Sequence, residues 1–212
     1  MSYGGTAAYA NVDDAPPLVR AAVDAAQSIG FGESCLPAQG RLLALLAAGV
    51  GDGVIGETGT GCGVGLAWMA QAASAGARLV SVDRDEHRVK LTREVFAART
   101  AGPPVEIVSG DWSELAAFGP FDLLVLDGGG HGKSGQPLDP ARWLRPGGVL
   151  VIDDFTPFTV WPPRHGQQVD RARLHWLQHD RLLACEIPLT TTMATIVGRY
   201  VGPDHAPGDH AS

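Results

Sequence analysis

The densest chemistry in the sequence is the run Glu57-Thr58-Gly59-Thr60-Gly61-Cys62-Gly63-Val64-Gly65. An apolar stretch precedes it and a helix-forming stretch follows, so the glycines fall where a strand hands over to a helix. Backbone N–H groups and the positive end of the helix dipole meet at such a junction and suit an anionic ligand group. Glycine there lets the backbone pass close to a ligand. Asp83, with Arg84 beside it, ends the next apolar run 24 residues after Gly59. A carboxylate at that place can accept hydrogen bonds from ribose hydroxyls. The dinucleotide fingerprint G-x-G-x-x-G fails in every register, because its last position falls on Val64, Leu66 or Trp68. A glycine turn without a ligand is the plainer alternative.

A second group of candidates is acidic. Asp127 closes one apolar run and Asp153-Asp154 closes another. If those runs are adjacent strands, ~4.8 Å apart, three carboxylates meet at one edge of a sheet. Like charges so close repel, and Mg²⁺ or Ca²⁺ is the simplest compensation; capping of the following loop is the structural alternative. After Asp127 come Gly128-Gly129-Gly130-His131-Gly132-Lys133. His131 titrates near neutrality and suits a proton acceptor, and Lys133 is a second candidate base. Cys62 reads as a small packing residue. Trp161 with Pro162-Pro163 reads equally as a pocket wall or as core.

These residues need elements to hold them. From residue 53 short apolar runs alternate with helical ones. Predicted strands are Val54–Glu57, Leu79–Asp83, Val105–Ser109, Phe121–Asp127 and Val149–Asp153. Predicted helices are Val64–Ser74, Asp85–Arg99, Ser113–Phe118 and Pro140–Leu144. Continuous apolar strands alternating with helices indicate a parallel sheet covered on both faces. Thr156–Gly166 reads as a loop and Asp170–Asp180 as a helix. Leu182–Leu189 and Met193–Val201 are strands with too short a connection to be anything but antiparallel. Ahead of this core, residues 1–15 read as a loose arm. Helices run from Pro16-Pro17 to Gly30 and from Pro37 to Gly49. The organisation predicted is one domain over 1–212: a helical arm at 16–49, a core at 53–201 and a tail at 202–212.

The run acidic-x-Gly-x-Gly-x-Gly from Glu57 resembles the cofactor loop of class I S-adenosylmethionine-dependent methyltransferases. Gly110-Asp111-Trp112, the turn Leu144-Arg145-Pro146-Gly147-Gly148 and the antiparallel last strands extend the resemblance over roughly residues 34–200. It implies an α/β, Rossmann-like, doubly wound seven-stranded sheet, mostly parallel with an antiparallel last strand and helices on both faces. It implies that S-adenosyl-L-methionine binds along Glu57, Gly59, Gly61, Gly63, Asp83, Arg84, Gly110, Asp111, Trp112 and Asp127. The adenine would lie at Asp111, which is also a candidate helix N-cap, and at Trp112. The acidic edge resembles catechol- and caffeoyl-CoA-type O-methyltransferases, whose metal is held by one Asp and an Asp-Asn pair. Asp127 and Asp153 match that pattern, and Asp154 replaces the amide. The family's lysine base lies about three residues past its aspartate, whereas Lys133 lies six past Asp127. His131 resembles the histidine of an Asp-Gly-x-His signature in related bacterial enzymes. The arm, with Ser34 and Pro37, resembles the family's segment over the cofactor.

The implied reaction is methylation of a hydroxyl on a small molecule, with N- and C-methylation, a nicotinamide-dependent oxidoreductase and a non-catalytic cofactor-binding protein as alternatives. Relatives with this arm often dimerise, so a homodimer stays open. Composition narrows the partners. The net charge is −7 and only Lys90 and Lys133 are lysines, which argues against a nucleic-acid phosphate backbone. Three cysteines without Cys-x-x-Cys spacing argue against a disulfide framework and for a reducing cytosol. No apolar run approaches the ~20 residues that span a bilayer, so a cytoplasmic location without membrane contact is expected. Glycine, at 28 of 212 residues, is nearly twice its usual ~7%.

Overall fold

A computed structural model describes residues 4–128 and 137–202. Its centre is a seven-stranded sheet built from β1 (Val54–Thr58), β2 (Arg78–Asp83), β3 (Val105–Ser109), β4 (Phe121–Leu126) and β5 (Leu144–Phe155), with two late strands. A two-residue ribbon, β6 (Arg164–His165) with β7 (Gln168–Val169), precedes those late strands, β8 (Leu182–Pro188) and β9 (Ala194–Tyr200). The sheet order is β3-β2-β1-β4-β5-β9-β8. Strands β1 to β5 are parallel, and β9 is antiparallel to both neighbours. The predicted doubly wound sheet is borne out.

Alternation along the strands explains why they read as unbroken apolar runs. Ile55, Leu79, Ile107, Leu123, Val125 and Val151 face one layer. That layer is made by α1 (Pro17–Ser28), α2 (Pro37–Ala48), α3 (Val64–Ala72) and α4 (Glu86–Ala97). Val80, Val82, Leu124, Leu126, Leu150 and Ile152 face the other, where Leu115, Trp143 and Trp176 pack. Trp143 belongs to α5 (Pro140–Trp143) and Trp176 to α6 (Arg171–Leu177). With both faces covered, most strand positions are apolar, and the buried polar ones, Glu57, Thr58, Ser81 and Asp83, lie toward the carboxyl ends of β1 and β2.

Several local expectations are corrected. Residues 4–15 are not loose: Ala7–Asn11 is a 3-10 helix with Tyr9 buried, and Thr6 is buried beside it. Trp112–Phe118 is likewise a 3-10 helix. The turn at Arg145–Gly148 lies inside β5 as an irregularity of its register with β4, and Gly147 takes φ 84° to make it. The stretch 156–169 contains the ribbon and is tied down by Arg173. That buried guanidinium binds Asp170 at 3.1 Å, Glu186 at 2.9 Å and the Thr156 carbonyl at 2.8 Å, over the Phe155 ring. Among the described residues, no helix is long and apolar enough to cross a membrane.

Candidate active site

Register lines the candidates up. Val82, Thr58, Leu126 and Ile152 are partners across β2, β1, β4 and β5. One residue further on, at the carboxyl edge, stand Asp83, Gly59, Asp127 and Asp153 at one level. In open α/β sheets the ligand crevice opens outside the carboxyl ends where strand order reverses, here between β1 and β4. Glu57, Asp83, Asp127 and Asp153 are all buried. Glu57, Asp127 and Asp153 affect the buried Cys35 thiol, so they gather on the side covered by the arm.

The glycine turn is shaped by this packing. Gly59, Gly61 and Gly63 have φ of 82°, 54° and 80°, the left-handed region where a side chain is strained. A Cβ on Gly59 would overlap the Asp127 carbonyl oxygen, and one on Gly61 would press the Phe31 ring of the arm at 3.2 Å. The turn is held by Gly59 N–H donating to the Val82 carbonyl at 2.8 Å and Gly61 N–H donating to Asp83 Oδ2 at 2.8 Å. Ser81 Oγ donates to Glu57 Oε2 at 2.6 Å and meets Thr60 Oγ1, also at 2.6 Å. Gly63 caps α3 with no side-chain cap, leaving the first-turn N–H groups of that helix without a side-chain acceptor.

Asp83 is more heavily engaged than its sequence position suggests. Besides Gly61 it accepts from the Asp85 N–H at 2.9 Å and from Arg88 at 3.1 Å. Arg88 lies over the Phe31 ring, 5.1 Å from its centroid, so turn, acid and arm form one unit. Arg84 is exposed and pairs with Asp111 at 3.7 Å. Asp111 caps the following 3-10 helix in a capping box with Glu114, so its N-cap role is real. Trp112 is half-buried and stacks on Trp143 with centroids 5.7 Å apart. Gly110 precedes them, and a Cβ there would meet the Glu114 carboxylate at 2.5 Å.

The electrostatics of the acidic edge are those of crowded, buried carboxylates. Burial pushes Glu57 well up from the usual range, and the charges of Asp127 and Asp83 add to it, against the Ser81 hydrogen bond. Burial also raises Asp127, with Asp154 adding to it. Burial and then Asp127 push Asp153 up to about 7. Asp153 Oδ1 accepts from the Asp154 N–H at 2.7 Å, while its buried Oδ2 has no hydrogen-bond partner. The pair sits in an irregularity of β5 against β9, where Asp154 takes φ 69°, a conformation that Asp and Asn tolerate better than most residues.

Such a cluster of carboxylates suits a cation. A ligand that brings an ammonium and a sulfonium to these carboxylates, and a carboxylate to the open end of α3, matches the donors and acceptors present, so the residues fit S-adenosylmethionine. The fit to a metal is different. Among the described residues no group of three or more His, Cys, Asp or Glu side chains is arranged to hold a metal ion. Asp127, Asp153 and Asp154 share a neighbourhood without forming that cage.

His131 and Lys133 lie outside the described residues. Cys62 is buried, and burial pushes its thiol up to about 11, consistent with packing rather than attack. Trp161 is exposed and meets Phe158 edge-on at 6.0 Å. Asp154, Thr156, His165, Gln168 and Arg171 line a cavity of about 470 Å³. Sequence reasoning missed Gln39, whose signal is a polar residue amid the apolar residues of α2.

The chain is similar to proteins of known family and fold. Residues 57–155 match the family model of a methyltransferase domain. A protein of Mycobacterium avium (strain 104), an O-methyltransferase by name, is 32% identical over 139 residues, 64% of this chain and 62% of that protein. The chain thus matches less than two thirds of that relative's length. Among solved structures, cofactor-bound Rv0187 from MTB has a TM-score of 0.71 at 19% identity, covering 96% of this chain and 99% of that one. The O-methyltransferase TomG from Streptomyces achromogenes, involved in tomaymycin synthesis and solved with SAM, has a TM-score of 0.69 at 20% identity, covering 93% and 96%.

Proposed function

We propose, from a chain whose residues 57–155 match a methyltransferase domain on the class I fold, that it is an S-adenosylmethionine-dependent methyltransferase acting on a hydroxyl of a small molecule. The observation that carries this reading is the level of Asp83, Gly59, Asp127 and Asp153 at the carboxyl edge, against three glycines with positive φ. A nicotinamide enzyme would call for the dinucleotide spacing that the turn lacks, and has no need of an antiparallel β9.

When bound, the cofactor supplies an activated methyl group on a sulfonium. The protein's part is placement. Asp83, held by Gly61 and Arg88, presents its remaining lone-pair capacity to ribose hydroxyls. Glu57 and Asp127 set a negative potential for the cationic end. The Phe31 ring on Gly61 closes the turn from solvent. The acceptor approaches along the β5 end, by the cavity at Asp154 and Thr156. Its proton goes to a group on the segment after Asp127, for which His131 and Lys133 are the candidates.

Isothermal titration tests the cofactor. The chain is expected to bind S-adenosylmethionine saturably, and Asp83→Asn to weaken binding about tenfold, since one charge-assisted hydrogen bond is worth ~1.5–3 kcal/mol. A wild-type chain that takes up no heat would sink the reading. Methyl transfer from labelled cofactor to a panel of catechols and phenols separates an enzyme from a cofactor-binding protein. His131→Ala should cut that transfer at least a hundredfold while leaving cofactor affinity intact.

A further inference from the structure

Gln39 stands apart among the buried polar side chains. It is 1% exposed, yet neither its Nε2 nor its Oε1 has a hydrogen-bond partner. Among the described residues it is the one side chain with both ends of an amide buried and unmet. Buried amides are normally satisfied, because losing water without a replacement is costly.

Two neighbours place it. Cys35 lies four residues before Gln39 and Leu43 four residues after, which puts the three on one side of α2 and its entry turn. Both flanking residues reach the first turn of α3. A Cβ on Gly65 would stand 3.8 Å from Cys35 Sγ, 3.6 Å from Leu43 Cδ1 and 2.8 Å from Glu57 Oε1. The adjacent Gly40 is pressed against the Trp68 ring of the same helix. Gln39 therefore sits on the α2 face turned to α3 and the glycine turn, between residues that touch the uncapped start of that helix.

A primary amide offers N–H donors at one end and a carbonyl acceptor at the other. Its complement is a group carrying an anionic acceptor and a cationic donor side by side, which is an α-amino-acid zwitterion. We propose that Gln39 binds the amino-acid end of S-adenosylmethionine, Nε2 donating to the carboxylate and Oε1 accepting from the ammonium. This rests on the cofactor reading above. Glu57 supplies negative potential for the ammonium, and the α3 N-terminus supplies N–H groups for the carboxylate.

The experiment compares two ligands on the intact chain by titration calorimetry: S-adenosylhomocysteine, and 5′-methylthioadenosine, which keeps the nucleoside and thioether but lacks the amino-acid end. Gln39→Met should weaken S-adenosylhomocysteine about tenfold and leave methylthioadenosine within twofold. Its unliganded thermal midpoint should equal or exceed that of wild type, because the amide has no partner to lose. Equal losses on both ligands, no loss on either, or a midpoint lower by several degrees would overturn the assignment. Should Gln39→Met not fold, Gln39→Glu keeps the shape and replaces the donor with a carboxylate, and the same split between ligands decides. A wild-type chain that binds neither ligand overturns the cofactor reading itself. Tight wild-type binding with no split overturns only the role of Gln39.

Discussion

At the scale of single residues, the site is defined by carboxylates kept out of water. Glu57 is the clearest case, since it lies on β1, is fully enclosed and keeps a hydrogen bond from Ser81. Burial first, and the charges of Asp127 and Asp83 next, raise its pKa well above the ordinary value. Between the unfolded value, ~4.3, and that raised value, the folded chain holds a proton that the unfolded chain releases. The stability of the unliganded protein must then fall as pH rises through this window. Glu57→Gln removes the titration and keeps the shape. The variant's stability advantage in urea unfolding should therefore grow from pH 5 to pH 8, and a pH-independent difference would contradict a buried, ionising Glu57. The same substitution should weaken S-adenosylhomocysteine, because glutamine cannot take the ionised form that the ammonium favours. The folded protein thus carries a cost at this position that a cationic ligand relieves.

At the scale of elements, the glycine turn is set by what crowds it from either side. Gly59 meets backbone, the Asp127 carbonyl, which cannot move without shifting β4, whereas Gly61 meets the edge of the Phe31 ring, which can. Gly59→Ala should cost about 3–5 kcal/mol, from positive φ together with a rigid overlap. Gly61→Ala should cost only about 1–2 kcal/mol, and chemical denaturation of the two variants reads the difference directly. If both cost the same, the turn is not clamped against β4. This turn was legible in the sequence because glycine spacing reports backbone geometry directly. The strands were legible for a related reason: two covered faces favour runs of apolar residues, as in Leu123–Leu126. What was not legible depends on contacts remote in sequence. Nothing local marks Tyr9 as buried, since its partners Cys35 and Trp68 lie 26 and 59 positions away. The Arg173 clamp joins Thr156, Asp170 and Glu186 in the same manner. The acidic edge was half legible: strand ends placed Asp127 and Asp153 together, but the irregularity that turns Asp154 comes from pairing with β9.

At the scale of the whole molecule, the question is whether the arm is part of the rigid core or a separable cover. It is fastened at a few polar points over an apolar bed. Thr6 Oγ1 bonds the Phe31 carbonyl and meets Ser34 Oγ, each at 2.7 Å. Tyr9 is the central tie: its hydroxyl donates to the Cys35 carbonyl at 3.1 Å and accepts from Trp68 Nε1 at 2.9 Å. Burial holds the phenol protonated, so both bonds persist across neutral pH. Tyr9→Phe breaks both and strands the buried Trp68 N–H, a loss of about 1–3 kcal/mol. If the arm opens as its own cooperative unit, that loss lands on local opening rather than on the sheet. The three cysteines report this separately, because Cys185 is exposed, Cys35 is buried under the arm and Cys62 is buried in the turn. In native wild-type protein a thiol reagent should label Cys185 fast and the other two slowly. In Tyr9→Phe the labelling of Cys35 should accelerate at least tenfold while Cys62 stays unchanged, and saturating S-adenosylhomocysteine should slow Cys35 again. If Cys35 and Cys62 accelerate together, the arm opens only with global unfolding, and access to the cofactor crevice must be controlled from the β5 side instead.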